Sequence, residues 1–181
     1  MVMAAGEGKR MNSKHSKVVQ KAAGKPLVCW VADTLREAGA LEQVYIVGFR
    51  QEEVRAVLGE DVAFVLQEQQ LGTGHAVLQA APFLEGRNGC TIILPGDAPM
   101  ITPETLRAAI DMFSQDEYGA VVVSAQAPDP TGYGRLVRDA EGNVARIVEE
   151  RDASDEEKKI REIHSSIYCF RTRLLLSALG R

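Results

Sequence analysis

Short apolar runs alternate along this chain with stretches whose apolar residues recur every three or four positions. Met1–Ala4, Gln43–Phe49, Val62–Leu66, Thr91–Leu94 and Ala120–Ala125 read as strands, rich in β-branched residues and bounded by turn formers. Between them, Pro26–Ala38, Gln51–Leu58, Gly74–Leu84 and Thr102–Phe113 read as helices. Two carry stop and start signals: Gly39 ends the first, while Thr102 caps the last ahead of Pro103. This β-α rhythm predicts an α/β fold with a mostly parallel sheet and helices on both faces. After Ala125 the pattern turns antiparallel. Arg135–Arg138 and Val144–Glu149 form a hairpin around Glu141-Gly142-Asn143, Ala153–Ile160 is a charged helix or loop, and Ile163–Phe170 returns as a strand.

The 181 residues suit one domain or slightly less, and the 45% hydrophobic share allows a sizeable core. The first strand is short for a central one, and the terminal Leu174–Arg181 run reads as a helix cut early. Both ends predict a fragment. A net charge of −4 disfavours a general nucleic-acid binder but leaves room for an anionic small substrate. No apolar run approaches the roughly 18 residues of a membrane span, and no signal-peptide pattern precedes the first glycines. Cys29, Cys90 and Cys169 form no C-x-x-C pair; they read as reduced core cysteines of a cytoplasmic protein.

Four segments with chemical potential sit where strands end, which is where open α/β sheets bind ligands. Ala4-Ala5-Gly6-Glu7-Gly8 precedes a basic cluster containing Arg10 and, further on, Lys17. Such a loop brings backbone N–H groups up to a phosphate chain; the same letters also serve as a surface turn. Gln67 through His75 offers amides and closely spaced Gly72, Thr73 and Gly74. An amide that donates and accepts can read a base edge. His75 reads as a helix-start residue. Asp97, one glycine beyond an apolar strand, suits Mg²⁺, although one carboxylate is an incomplete site. Gly132–Arg135 and the strand-end Glu149-Glu150 offer N–H groups and carboxylates to sugar hydroxyls, or form a plain turn and exposed charges.

In order, AAGEGKRM (4–11) with Lys17 and GKP (24–26), QLGTGHA (70–76), GDAPMI (96–101), DPTGYGR (129–135) and IVEERDASDEE (147–157) resemble the sugar-nucleotide pyrophosphorylases. Among these, the motifs are most similar to the uridyltransferase half of the bacterial bifunctional N-acetylglucosamine-1-phosphate uridyltransferase/glucosamine-1-phosphate acetyltransferases. The resemblance covers essentially the whole chain. It implies a Rossmann-like, GT-A-like nucleotidyltransferase domain, with residues 1–125 as a nucleotide-binding half and 126–181 as the start of a sugar-binding half. It further implies transfer from UTP to N-acetylglucosamine 1-phosphate, giving UDP-N-acetylglucosamine and pyrophosphate for cell-wall synthesis. Ala4, Ala5 and Gly6 would hold the nucleotide, Gln67, Gly72 and Thr73 the uracil. Arg10 and Lys17 would neutralise the triphosphate, Asp97 would hold Mg²⁺, and Gly134, Glu149 and His164 would meet the amino sugar.

The chain departs from that family in places. His164-Ser165-Ser166 stands where the family often has Asn-Thr-Gly, and Ser16 stands before Lys17 in place of a common Pro. The family also continues beyond this length, with a second metal ligand, an Asn, and a β-helix domain that drives trimer formation. Other readings are a nucleotidyltransferase for CTP or another sugar phosphate, a non-catalytic nucleotide-sugar binder, and an inactive fragment.

Overall fold

The computed structural model describes residues 1–8, 11, 13–115 and 118–180. They form two units, one of Met1–Val121 with Cys169–Arg181, the other of Val122–Tyr168.

The first unit is built on β1 (Val2–Ala4), β4 (Val44–Val47), β5 (Ala63–Leu66) and β6 (Cys90–Pro95), in the order β5-β4-β1-β6. All these pairings are parallel, with Val2 opposite both Tyr45 and Leu94, and Tyr45 opposite Phe64. Val2, Tyr45, Ile46, Val47 and Leu94 are fully buried. β1 is short yet central, lying between β4 and β6, although its few residues read as too short for a central strand.

Helix α1 (Leu27–Glu37) buries Val28, Val31, Ala32 and Leu35, one face at helical spacing, and touches α2 (Gln51–Leu58) and α4 (Pro103–Gln115). The Thr102 hydroxyl accepts the Thr105 N–H at 3.2 Å, capping α4 as read from the sequence. Helix α3 (Thr73–Gln79) is shorter than the expected Gly74–Leu84; residues Ala81–Leu84 tighten into a 3₁₀ turn. Pro82 has no N–H to continue the α ladder, so the helix breaks ahead of it. A two-rung ladder between β2 (Lys21–Ala22) and β3 (Lys25–Pro26) was not legible beforehand. Its turn residues Ala23 and Gly24 have φ of 50° and 80°, the twist a two-residue hairpin needs. Helix α5 (Thr172–Leu179) belongs to the first unit and is joined to it by the Thr172 N–H donating to Gly89 O at 3.0 Å.

The second unit holds β8 (Arg135–Arg138), β9 (Val144–Val148) and most of β7 (Ala120–Gln126) and β10 (Glu162–Arg171); β8 pairs antiparallel with β9 and with β10, and β10 also pairs with β7. The β8–β9 turn closes on Asp139, whose Oδ1 accepts the Glu141 and Asn143 N–H groups. The charged segment is mostly turn, with one 3₁₀ stretch at Glu157–Lys159. Ser154 and Glu157 cap it reciprocally, each side chain accepting the other's backbone N–H.

Of the three cysteines only Cys169 is buried; Cys29 and Cys90 are half-buried, which corrects the all-core reading. Distant in sequence, Cys90 on β6 and Cys169 near the end of β10 both belong to the first unit. Among the described residues no helix is long and apolar enough to cross a membrane.

Candidate functional site

In the first unit the loops leaving the carboxyl ends of the four parallel strands are tied to one another. Ala5 O accepts the Phe49 N–H at 3.2 Å, Val47 O the Gln67 N–H at 2.7 Å, and Met3 O the Gly96 N–H at 2.9 Å. Gly48 makes this convergence possible. A Cβ there would lie 3.0 Å from both the Ala5 Cβ and the Ala5 carbonyl, so a side chain would push the loops apart. Ala4 and Ala5 are buried and hold the loop down, while Gly6 is exposed and faces open space. That combination presents backbone to a ligand from a rigid base.

Lys17 and Asp97 form an ion pair on this rim, both side chains partly exposed. Gly8 lets the lysine pass: its φ is 63°, and a Cβ would come within 2.8 Å of the Lys17 Cβ. Lys17 opens a 3₁₀ turn, Lys17–Val19, whose preceding residue Ser16 is fully buried. Glu53 on α2 fixes that approach. Its Oε2 accepts the Ser16 N–H at 2.9 Å and its Oε1 lies 3.1 Å from His15 Nδ1. These bonds, the Ser16 N–H first, hold the Glu53 carboxyl below the usual carboxylate range. Arg10, expected beside Lys17, lies outside the described residues.

Gln67 is 3% exposed and heads the loop that leads into α3. Its Nε2 reaches Gly72 O at 3.3 Å and His75 Nδ1 at 3.0 Å. Gly72 has φ 105°, a conformation open only to glycine, and its carbonyl also accepts the Ala76 N–H. Thr73, the first residue of α3, is exposed. Ala4, Ala5, Gly6, Lys17, Gln67, Gly72, Thr73 and Asp97 thus all lie at the strand ends of one unit.

The second unit assembles Gly134, Glu149 and His164. Gly134 O accepts the His164 N–H at 2.8 Å, and a Cβ on Gly134 would lie 3.4 Å from Glu149 Oε1. The His164 ring packs on Tyr168, centroids 5.0 Å apart. Its Nε2 is buried and has no hydrogen-bond partner among the described residues. Burial lowers the imidazole pKa, with the Glu149 charge opposing. Beneath this group the Arg135 guanidinium is 1% exposed and bonds Glu150 Oε2 at 2.7 Å, Ile160 O at 3.0 Å, and Tyr133 O. Glu150 also accepts the Gly132 N–H at 3.0 Å, and the Arg135 bond above all keeps its carboxyl pKa low.

A family model described as the MobA-like NTP transferase domain matches residues 1–166. The chain belongs to the MobA-like NTP transferase family. The resemblance seen in the motifs is borne out by relatives called bifunctional protein GlmU. That from Brevibacillus brevis is 49% identical over 180 residues, 99% of this chain and 39% of the relative. That from Geobacillus sp. is 45% identical over 179 residues, again 99% of this chain and 39% of the relative. This NTP transferase chain therefore spans about two-fifths of the length of such relatives. In fold it is similar to a solved chain described as a glucose-1-phosphate thymidylyltransferase from Bacillus anthracis in complex with a sucrose. The TM-score is 0.76 at 18% identity, over 96% of this chain and 71% of the other.

Several residues of this NTP transferase domain escaped the sequence reading. Glu53 is one charge among several on α2, and only the fold brings it to Ser16. Gly48 follows a strand as many glycines do, and only the neighbouring loops make it indispensable. Arg135 closes a recognised motif, but its burial depends on carbonyls more than twenty residues away in sequence. A cavity of about 490 Å³ opens at the other, amino ends of the strands, lined by Met1, Val44, Cys90 and Ile92. The strand-end rim carries the charged and glycine-lined groups, so chemistry rather than enclosure marks the site.

Proposed function

We propose that this chain is the nucleotidyl-transferring part of an enzyme that makes UDP-N-acetylglucosamine and pyrophosphate from UTP and N-acetylglucosamine 1-phosphate. The observation that carries the proposal is the Lys17–Asp97 pair on a rim of tied strand-end loops. The GlmU relatives, which match nearly the whole chain, support it. Residues 1–125 form the nucleotide-binding half and residues from 126 the beginning of the sugar-binding half. Ala4, Ala5 and Gly6 hold the nucleotide, Gln67, Gly72 and Thr73 take the uracil, and Gly134, Glu149 and His164 take the amino sugar. On this reading the product serves cell-wall precursor synthesis in the cytoplasm, and the longer relatives assemble as trimers.

The sugar phosphate oxygen attacks the α-phosphorus of UTP and pyrophosphate leaves in line. No protein nucleophile is needed; the chain supplies position and compensating charge. Lys17, a compact point charge, offsets charge near the α-phosphate, and Arg10 does so at the departing pyrophosphate. Asp97 suits Mg²⁺. It is a partly exposed carboxylate on the rim, beside the Lys17 ammonium. Magnesium takes one or two carboxylates and fills its shell with water and phosphate oxygens. When bound it neutralises phosphate charge.

The test is incubation with UTP, Mg²⁺ and N-acetylglucosamine 1-phosphate, read as pyrophosphate release, beside a panel of other nucleotides and sugar phosphates. Lys17→Ala is expected to lower turnover by a factor on the order of 10²–10³, the scale for one preorganised charge. Asp97→Asn is expected to shift the Mg²⁺ titration. Unchanged turnover in the first variant removes Lys17 from the mechanism.

A further inference from the structure

We infer that His75 is a positioning residue that, together with the Gly72 carbonyl, holds the Gln67 amide with its oxygen toward a nucleobase, and so favours uracil over cytosine. The inference rests on the reading of Gln67 as the base-contacting residue.

One terminal atom of the Gln67 side chain lies 3.3 Å from Gly72 O and 3.0 Å from His75 Nδ1. A carbonyl oxygen can only accept, so the atom facing Gly72 must be the NH₂ group. Gly72 cannot turn its carbonyl away. Its φ of 105° and the Ala76 N–H bonded to the same oxygen hold it. Both protons of that NH₂ are then committed, one to Gly72 and one to His75. His75 Nδ1 must accept, which puts the imidazole proton on Nε2. Gln79 Nε2 lies 3.2 Å from that nitrogen, and a half-turn of its amide brings the oxygen there to receive the proton. Gln79 sits one helical turn after His75 on α3, so the short helix itself carries the relay.

With its nitrogen occupied, Gln67 has only Oε1, a pure acceptor, left for a ligand. Uracil carries a donor at N3 where cytosine carries a lone pair. An acceptor at that place attracts the first and repels the second, so discrimination comes from an unfavourable contact as well as a favourable one. Without an acceptor at His75 the amide loses half of what holds it and can present NH₂, which suits cytosine.

Two measurements test this on the 181-residue chain. Imidazole ¹⁵N shifts of the ligand-free protein are expected to show His75 as the Nε2–H tautomer; the Nδ1–H tautomer overturns the inference whatever the protein binds. Titration calorimetry with UTP and CTP follows in the parent, His75→Leu and His75→Asn. Asn places its oxygen where Nδ1 stood. The UTP-to-CTP affinity ratio is expected to fall about tenfold in the leucine variant and to recover in the asparagine one. A purely structural role would weaken both nucleotides alike and leave the ratio unchanged, which overturns the inference. A parent with the expected tautomer but no preference for UTP removes Gln67 as the base reader, and the selectivity assigned to His75 falls with it.

Discussion

At the scale of single residues, the chemical letters of the site were legible and their supports were not. Lys17, Asp97 and Gln67 stand out because a charge or amide just after an apolar strand or glycine loop has few structural reasons to be there. Glu53 and His75 act only through neighbours that the fold supplies. Ser166 shows the converse, where a departure in sequence has a physical consequence. It sits inside β10 with φ 63°, the left-handed region, at the place where the resembling family often has glycine. A side chain there costs roughly 1–2 kcal/mol, part of which glycine would give back in unfolded-state entropy. Ser166→Gly is therefore expected to stabilise the chain by about 1 kcal/mol, a rise of roughly 2–4 °C in Tm. Calorimetry of the purified variant checks it; a lowered Tm would mean that the serine makes a compensating contact.

At the scale of elements, the periodicity located, among the described residues, every helix of eight residues or more and the four parallel strands to within a few residues. Their ends shifted where local chemistry competed, as at Pro82 beyond α3. What periodicity cannot reach is an element held by few residues. The β2–β3 ladder has two rungs, and the turn before β8 is held by one arginine. Arg135 is 1% exposed and spends its donors on Glu150 and on the carbonyls of Tyr133, Lys158 and Ile160. Glu150 in turn holds Gly132. Truncating a buried charge leaves its partners unpaired, a loss of about 3 kcal/mol. Arg135→Met, of similar length and without charge, is expected to lower the urea midpoint and to speed amide exchange at Gly132. The same substitution with an unaltered midpoint would mean that water replaces the guanidinium at no cost.

At the scale of the whole chain, the division of charge between the two units sets the response to acid. Six carboxylates among the described residues are held below their ordinary pKa by hydrogen bonds. Asp129, Glu150, Glu157 and Glu162 are in the second unit; Glu53 and Glu104 are in the first. A depressed carboxylate contributes stability above its unfolded value, near 4.5 for Glu, that is lost as pH falls through the folded one. His164, also in the second unit, has its pKa lowered from 6.5 mainly by burial. It is neutral when folded and must take a proton when unfolded in mild acid. Its contribution is therefore present above pH 6.5 and declines as pH falls through the folded value. Both effects have one sign and act in successive windows, so the second unit is expected to weaken first. Amide protection, each exchange rate taken relative to that of an unprotected amide at the same pH, is expected to fall around Gly134 and His164 below about pH 6.5, and across the second unit below about pH 4.5. His164→Asn removes the imidazole titration and should abolish the first stage while leaving the second. If the asparagine variant keeps both stages, the early loss arises elsewhere, and the buried imidazole is not what makes this unit sensitive to mild acid.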